Sequence, residues 1–313
     1  MLGSVPAEYK TSVTIPSGTW QTAPTTPGSA LKNDLNGDGI ADILMVNENG
    51  QAGAWLLDGQ GESTWRALSE LPGAWEAAAA QDVNGDRFAD VILWNAETKA
   101  AGAWIMDGDQ LQWQGYGILS DGDLAGVDDF NGDGKADLVY RKSDGTVGVH
   151  FLNSADNALE AGLDSAWQIA GTGDINGDGT ADLILRSGSA VGAWLMSSEG
   201  PVWQGLPELG TESQIVGLGD LNGDGTDDIV INTNGSYGAW SMAEGQAVSW
   251  QAICNFPASV VIDSIADLNG DGIDDLQVRN GNDLAAVYIG VDGTPEWKTL
   301  GSVSSTWRTE LAG

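Results

Sequence analysis

Apolar residues in this chain fall in short consecutive runs, such as Ile40-Ala-Asp-Ile-Leu-Met45, Leu183-Ile-Leu185 and Asp228-Ile-Val-Ile231, set between clusters of Gly, Ser and Asn. Runs of this kind predict brief strands buried on both faces, whereas a helix would space its apolar residues three and four apart. Helical spacing is weak throughout. Glu76-Ala-Ala-Ala-Ala80 has a helical composition, but it fills a slot that reads as strand elsewhere. Around Trp167 the pattern predicts four strands, at about Trp167–Gly173, Ala181–Arg186, Ala190–Met196 and Pro201–Gly205.

The second strand of each such group follows a nine-residue polar loop. In Asp174-Ile-Asn-Gly-Asp-Gly-Thr-Ala-Asp182, three carboxylates and one amide oxygen fall at loop positions one, three, five and nine. An all-oxygen donor set around a tight turn is what a hard cation such as Ca2+ prefers. Glycines at positions four and six let the backbone adopt positive φ. An EF-hand would need flanking helices and a Glu at position twelve; the chain has Leu185 there.

The loop occurs six times, and successive starts differ by 48, 47, 45, 46 and 47 residues. The candidate ligands, with the backbone carbonyl named last in each set, are Asp34, Asn36, Asp38, Asp42 and Ile40; Asp82, Asn84, Asp86, Asp90 and Phe88; and Asp129, Asn131, Asp133, Asp137 and Lys135. The other three sets are Asp174, Asn176, Asp178, Asp182 and Thr180; Asp220, Asn222, Asp224, Asp228 and Thr226; and Asp267, Asn269, Asp271, Asp275 and Ile273. Up to six Ca2+ ions are expected. Position six is Gly in five loops and Arg87 in the second, where a side chain must take positive φ and places a cation near the ion, so that site is expected to be the weakest.

A constant period with one four-strand group per repeat predicts an all-β propeller, in which each blade is sandwiched between two neighbours. The chain is expected to be one domain over 1–313, with repeats at 34–81, 82–128, 129–173, 174–219, 220–266 and 267–313. Residues 1–33 echo the second half of a repeat: Ala7-Glu-Tyr9 and Gly18-Thr-Trp20 match Gly53-Ala-Trp55 and Ser63-Thr-Trp65. Residues 306–313 match the strand that precedes a loop. Joined, the two ends predict a seventh blade; six blades is the alternative if the ends merely pack on the ring.

Tryptophan recurs with the same period. The Gly-Ala-Trp slot holds Trp55, Trp104, Trp194 and Trp240, with His150 and Tyr288 as the equivalents. Nine or ten residues later come Trp65, Trp113, Trp203, Trp250 and Trp297, with Leu159 in the third repeat. Recurrence in nearly every copy favours packing between blades over a ligand site. A ring of sugar-stacking platforms is the alternative. Trp75 and Trp307 fall in a slot that is not aromatic in most copies, which makes them candidate sugar contacts, although Trp167 shares that slot.

Charge narrows the partners. Asp and Glu outnumber Lys and Arg by 45 to 12, for a net charge of −33, and the loops account for eighteen of the acids. Such a surface repels phosphate backbones and anionic lipids, so no nucleic acid and no membrane insertion are expected. No apolar run is long enough to span a bilayer. The single cysteine, Cys254, allows no intrachain disulfide, and the N-terminus has no secretory signal. Calcium modules of this kind fill at about 10⁻⁴–10⁻³ M, which points to an extracellular or cell-surface setting.

No catalytic constellation stands out. His150 lies in an aromatic strand slot, Cys254 reads as a small buried hydrophobe, and the acidic run Asp121, Asp123, Asp128 and Asp129 fits a solvated turn next to a loop ligand better than a glycosidase pair. The chain is not expected to be an enzyme.

With loop, strand and period in place, the sequence resembles the calcium-loop propeller repeats of integrin α-subunits, the FG-GAP or VCBS repeats. The bacterial form is the nearest match, through Ala190-Val-Gly-Ala-Trp-Leu-Met196. The resemblance implies a propeller of about seven blades with calcium at the ring edge. It also implies roles in adhesion, in carbohydrate or cell-surface protein binding, or as an accessory module of a secreted enzyme. A structural or assembly spacer without a small ligand is the alternative.

Overall fold

The computed structural model describes residues 32–108, 110–119, 122–152, 159–197 and 199–309. Within them the chain forms six four-stranded antiparallel sheets and no helix. In order from the inner strand outward, blade 2 is Glu76–Gln81, Asp90–Asn95, Ala100–Asp107 and Gln110–Ile118, and blade 3 is Asp123–Asp128, Asp137–Arg141, Thr146–His150 and Leu159–Gly162. Blade 4 is Gln168–Gly173, Asp182–Ser187, Ala190–Leu195 and Val202–Leu206, and blade 5 is Ser213–Gly219, Asp228–Thr233, Ser236–Ala243 and Gln246–Asn255. Blade 6 is Val260–Ala266, Asp275–Asn280, Asp283–Ile289 and Pro295–Ser302. The alanine run at Glu76 is a strand, as its slot predicts: packing between blades overrides its helical propensity.

Blade 1 shows how the ring closes. Its outer three strands, Ile43–Asn47, Gln51–Leu57 and Ser63–Glu70, come from the start of the described chain. Its inner strand is Trp307–Arg308, paired antiparallel to the first of them with Val46 opposite Arg308 and Asn47 opposite Trp307. The expected seventh blade is therefore replaced by the six-bladed alternative. Each loop introduces the second strand of one blade, so six loops specify six blades, and the C-terminal strand fills the vacancy in the first instead of founding another. The N-terminal echo at 1–31 lies outside the described residues.

The inner strands of neighbouring blades approach one another around the axis. Those of blades 2 to 6 each carry one register shift, as between Ile169 and Gly171, a bulge that increases local twist. Six apolar clusters lie between successive blades. One joins Ile92 and Ala103 of blade 2 to Leu138 and Tyr140 of blade 3, and another joins Ile43 and Met45 of blade 1 to Leu284 and Ala286 of blade 6. The second strands are accordingly buried on both faces, Asp90–Asn95 throughout, while the outer strands face solvent.

The Gly-Ala-Trp slot is a packing position. Trp55, Trp104 and Trp240 are buried, each in the cluster shared with the preceding blade. Two assignments are corrected by register. Val287, opposite Leu276, occupies this slot in blade 6, so Tyr288 lies one residue further on and faces the other side. Leu159 pairs with Val149 and is one residue out of step with the tryptophans of the other outer strands, where Trp65 pairs with Trp55. An off-by-one step on a strand reverses the face.

A chain ending at Ser305 should expose the Ile43–Asn47 edge. The expected outcome is a lower melting midpoint, restored by adding a peptide covering residues 304–313; a midpoint indifferent to the truncation would argue against this closure.

Candidate metal loops and the axial cluster

The six loops are held by a shared set of hydrogen bonds. The first Asp receives N–H bonds from positions four and six: Asp174 Oδ1 accepts from Gly177 at 2.7 Å and Oδ2 from Gly179 at 2.7 Å. In five loops the Asn at position three accepts from the N–H of position five, as Asn176 does from Asp178 at 2.8 Å, while in the fifth loop the Asp224 N–H reaches Asp220 at 3.1 Å. The fifth-position Asp accepts from position seven, as Asp178 does from Thr180 at 2.9 Å. These are local side-chain-to-backbone turns of the kind Asp and Asn favour. Arg87 takes φ of 73°, as its slot requires, and its N–H still reaches Asp82 at 2.8 Å.

The ninth-position Asp is a brace between loop and blade. In every loop it accepts the N–H at the end of the third strand: Asp42 from Leu57, Asp90 from Met106, Asp137 from Leu152, Asp182 from Met196, Asp228 from Met242 and Asp275 from Ile289, at 2.7–3.0 Å. All six carboxylates are buried. Burial pushes Asp137, Asp182 and Asp275 up to about 8 and Asp90 and Asp228 up to about 7; backbone donors oppose the rise and the other loop acids add to it.

Each predicted ligand set is thus gathered on one loop, with position nine buried beneath it and position five exposed to solvent. The donors are all oxygens and their carboxylates repel one another, which suits a hard cation. The convergence is not complete: among the described residues no three carboxylate, imidazole or thiol groups form a ready-made metal cluster. In blades 3, 5 and 6 the Asn amide N–H turns toward the ninth-position Asp, Asn131 reaching Asp137 at 3.1 Å, so its positive end takes the place of a counter-charge.

Successive loops interlock. The N–H of position eight donates to the carbonyl of position one in the preceding loop at all six junctions: Ala89 to Asp34, Ala136 to Asp82, Ala181 to Asp129, Asp227 to Asp174, Asp274 to Asp220 and Ala41 to Asp267, at 2.6–2.8 Å. Position seven also packs on the neighbour's first glycine, and a Cβ on Gly37 would meet the Phe88 ring at 3.0 Å.

A cluster at the axis was not anticipated. Position eight is Ala in four loops but Asp227 and Asp274 in the last two. There the residue preceding the neighbouring loop is Gly: a Cβ on Gly173 would lie 2.4 Å from Asp227 Oδ2, and one on Gly219 would lie 2.6 Å from Asp274 Oδ2. With Asp128 these acids surround the Lys32 ammonium, 3.4 Å from Asp227 and 3.8 Å from Asp128. Burial alone would lower the Lys32 pKa, but Asp227, Asp128 and Asp274 outweigh it and hold the amine charged. Asp274 is pushed up to about 7 by burial and by Asp227. The coupled Ala-to-Asp and Asn/Gln-to-Gly exchanges were the sequence signal for this cluster.

The remaining candidates take structural places. Asp128 belongs to the axial cluster, Asp123 pairs with Lys99, and Asp121 lies outside the described residues. His150 is half-buried, and burial lowers its pKa. Burial pushes the Cys254 thiol up to about 11. Trp75, Trp167 and Trp307 are not isolated sugar contacts: they meet Trp113, Trp203 and Trp65 edge to face at 5.1, 4.9 and 5.0 Å, a repeated packing pair within each blade.

The outer-strand tryptophans are part packed and part exposed. One side of Trp65, Trp113, Trp203 and Trp250 covers a glycine, where blade 6 has Ala285; a Cβ on Gly102 or Gly192 would meet the indole of Trp113 or Trp203 at 2.3 Å. The rest is open to solvent, and Trp113, Trp203, Trp250 and Trp297 are 49–53% exposed.

The FG-GAP-like repeat profile matches residues 34–124, 129–185 and 174–231, more than half of the chain. No curated protein matches the sequence. Among solved structures, the chain is similar to an Agrocybe aegerita lectin described as specifically recognising non-reducing terminal N-acetylglucosamine, with TM-score 0.60 and 19% identity over 88% of this chain and 81% of that one. It is also similar to the Photorhabdus luminescens Tc holotoxin pore, with TM-score 0.52 and 18% identity over 88% of this chain but 14% of that one. At these identities the likeness concerns the fold. No helix among the described residues is long and apolar enough to cross a membrane.

Two outcomes follow from the buried acids. An unfolded Asp has a pKa of about 3.9, and in the fold burial pushes Asp90, Asp137, Asp182, Asp228 and Asp275 up to about 7 or about 8 and Asp42 well above its ordinary value. Between these values the native state holds more protons, so stability in chelator should fall as pH rises from about 5 to about 8, as thermal melts would register. Lys32→Met should leave the axial carboxylates uncompensated and destabilise by roughly 3 kcal/mol at pH 8. The penalty should shrink at pH 5, where the acids take up protons; urea titrations at both pH values measure it.

Proposed function

Because the chain belongs to the FG-GAP-like repeat family, we propose that it is a calcium-stabilised carbohydrate-binding propeller that works outside the cell or on its surface. The observation that carries the proposal is the recurrence of half-open indoles on the outer strands, Trp113, Trp203, Trp250 and Trp297, the first three backed by a glycine and the first two also by a second tryptophan. A rigid, half-exposed aromatic ring offers apolar contact at small entropic cost. Four such platforms, Trp113, Trp203, Trp250 and Trp297 on blades 2, 4, 5 and 6, give weak sites that gain by multivalency. The lectin neighbour lends support at the level of fold.

Calcium enters as a stabiliser. The residues that would hold it are the side chains of positions one, three, five and nine and the carbonyl of position seven, from Asp34, Asn36, Asp38, Asp42 and Ile40 in the first loop to Asp267, Asn269, Asp271, Asp275 and Ile273 in the last. A divalent ion would offset the charge that burial disfavours on the ninth-position Asp. Each independent site would add about 2.7 kcal/mol at a hundredfold excess over its Kd. Binding rather than turnover is proposed, since neither His150 nor Cys254 has a catalytic partner assigned. A spacer role within a larger secreted assembly is the second reading, favoured by the toxin neighbour, of whose length this chain spans about a seventh.

Millimolar calcium should raise the melting temperature, with reversal by chelator. Asp178→Ala should reduce the calcium-dependent rise more than Asp86→Ala, because the left-handed backbone at Arg87 already costs its loop about 1 kcal/mol relative to glycine. A glycan array probed with calcium and then chelator tests the binding half: retention of neutral glycans lost on Trp113→Ala with Trp203→Ala is the expected result, and no retained glycan would favour the spacer.

A further inference from the structure

The junction between the last blade and the first carries a side-chain pair, Tyr288 opposite Glu296, that recurs in no other blade among the described residues. At that seam a cleft of about 350 Å³ is lined by Gly59 and Gln60 of blade 1 and by Asp271, Tyr288, Thr294 and Glu296 of blade 6 and its loop. This size falls in the lower range of small-molecule sites, about 300–1,000 Å³. One wall is closely fitted: Gly59 has φ of +69°, and a Cβ there would lie 2.6 Å from the Asn269 carbonyl oxygen.

Tyr288 sets this seam apart. By register its equivalents are Leu56, Ile105, Phe151, Leu195 and Ser241. Its cross-strand partner is Glu296, where other blades place Thr64, Gln112, Val202 or Ser249. The ring packs against the apolar cluster of blades 6 and 1, yet its hydroxyl is shielded from water and has no hydrogen-bond partner. A shielded hydroxyl left unpaired is destabilising, and Phe would fill the same space without it. Asp58, Asp275 and Glu296 stand near enough to act on it electrostatically. The cleft therefore offers an aromatic wall, hydroxyl and amide groups, and carboxylates that accept hydrogen bonds and repel anions.

We infer that the seam cleft binds a single neutral sugar ring, one per chain, through hydroxyl contacts to Tyr288 and Glu296, and that it excludes acidic sugars. The inference rests on the carbohydrate-binding reading above and assigns it a second, non-repeated site. Sugar hydroxyls donate to carboxylates, and a small rotation of the Tyr288 ring would give its hydroxyl the partner it lacks. The carboxyl group of a uronic acid would instead meet the carboxylate of Glu296, which belongs to none of the proposed calcium ligand sets.

Isothermal titration with N-acetylglucosamine, methyl glucoside, methyl galactoside and glucuronic acid, in millimolar calcium, tests this on the full chain. The expected result is binding of a neutral sugar with one site sensitive to both Tyr288→Phe and Glu296→Gln, each weakening it about tenfold, and no binding of glucuronic acid. Tyr288→Phe should leave the melting temperature equal or higher, since it removes an unpaired group, which separates a ligand contact from a structural one. Neutral-sugar binding that ignores both substitutions but disappears with Trp113→Ala and Trp203→Ala would overturn the seam site and leave the blade platforms standing. Absence of binding by every neutral sugar would overturn both.

Discussion

The constraint on which the structure depends is the closed circuit of six backbone hydrogen bonds that joins position eight of each loop to position one of the loop before it. A blade of this size cannot bury both its faces alone, so its apolar clusters are completed only by its neighbours. The circuit fixes the spacing of those neighbours at the axis, where there is least room. It also explains why position eight is small in four loops and why the two aspartates are accommodated only opposite Gly173 and Gly219. Blade number follows from the same circuit: it is complete at six, with Ala41 donating to Asp267.

Holding the loops in a ring brings acids close together, and the fold manages them in two ways. Backbone N–H groups serve every first- and ninth-position carboxylate, which lets these groups be buried at all. At the axis each of three carboxylates also accepts one backbone N–H, and the Lys32 ammonium stands among them. What remains is a fold whose buried acids favour protonation, an arrangement that a bound cation would reverse. Architecture and the proposed metal dependence are thus two sides of one electrostatic problem.

The aromatic residues show a similar economy. Gly102, Gly192 and Gly238 each clear space on the third strand for an indole from the fourth. The rings are consequently immobilised by the blade and still half exposed. A repeated surface of this kind differs in character from the seam, where Tyr288 and Glu296 depart from the repeat and line a concave site.

The sequence by itself determined the elements, the period and the loops, because these depend on local chemistry that recurs: Asp and Asn where backbone donors must be met, Gly where φ is positive, apolar runs where both faces are covered. The left-handed backbone at Arg87 was legible for that reason. Tertiary structure decided what depends on closure and register. Whether the C-terminal strand begins a blade or completes one is settled by which edge is free, and Trp307 pairing with Asn47 is a contact across the whole chain. Register placed Val287 in the tryptophan slot and turned Tyr288 to the opposite face, a one-residue difference that spacing could not resolve. The axial cluster needed the ring as well, since Lys32, Asp128, Asp227 and Asp274 are distant in sequence and meet only because every inner strand ends at the same axis.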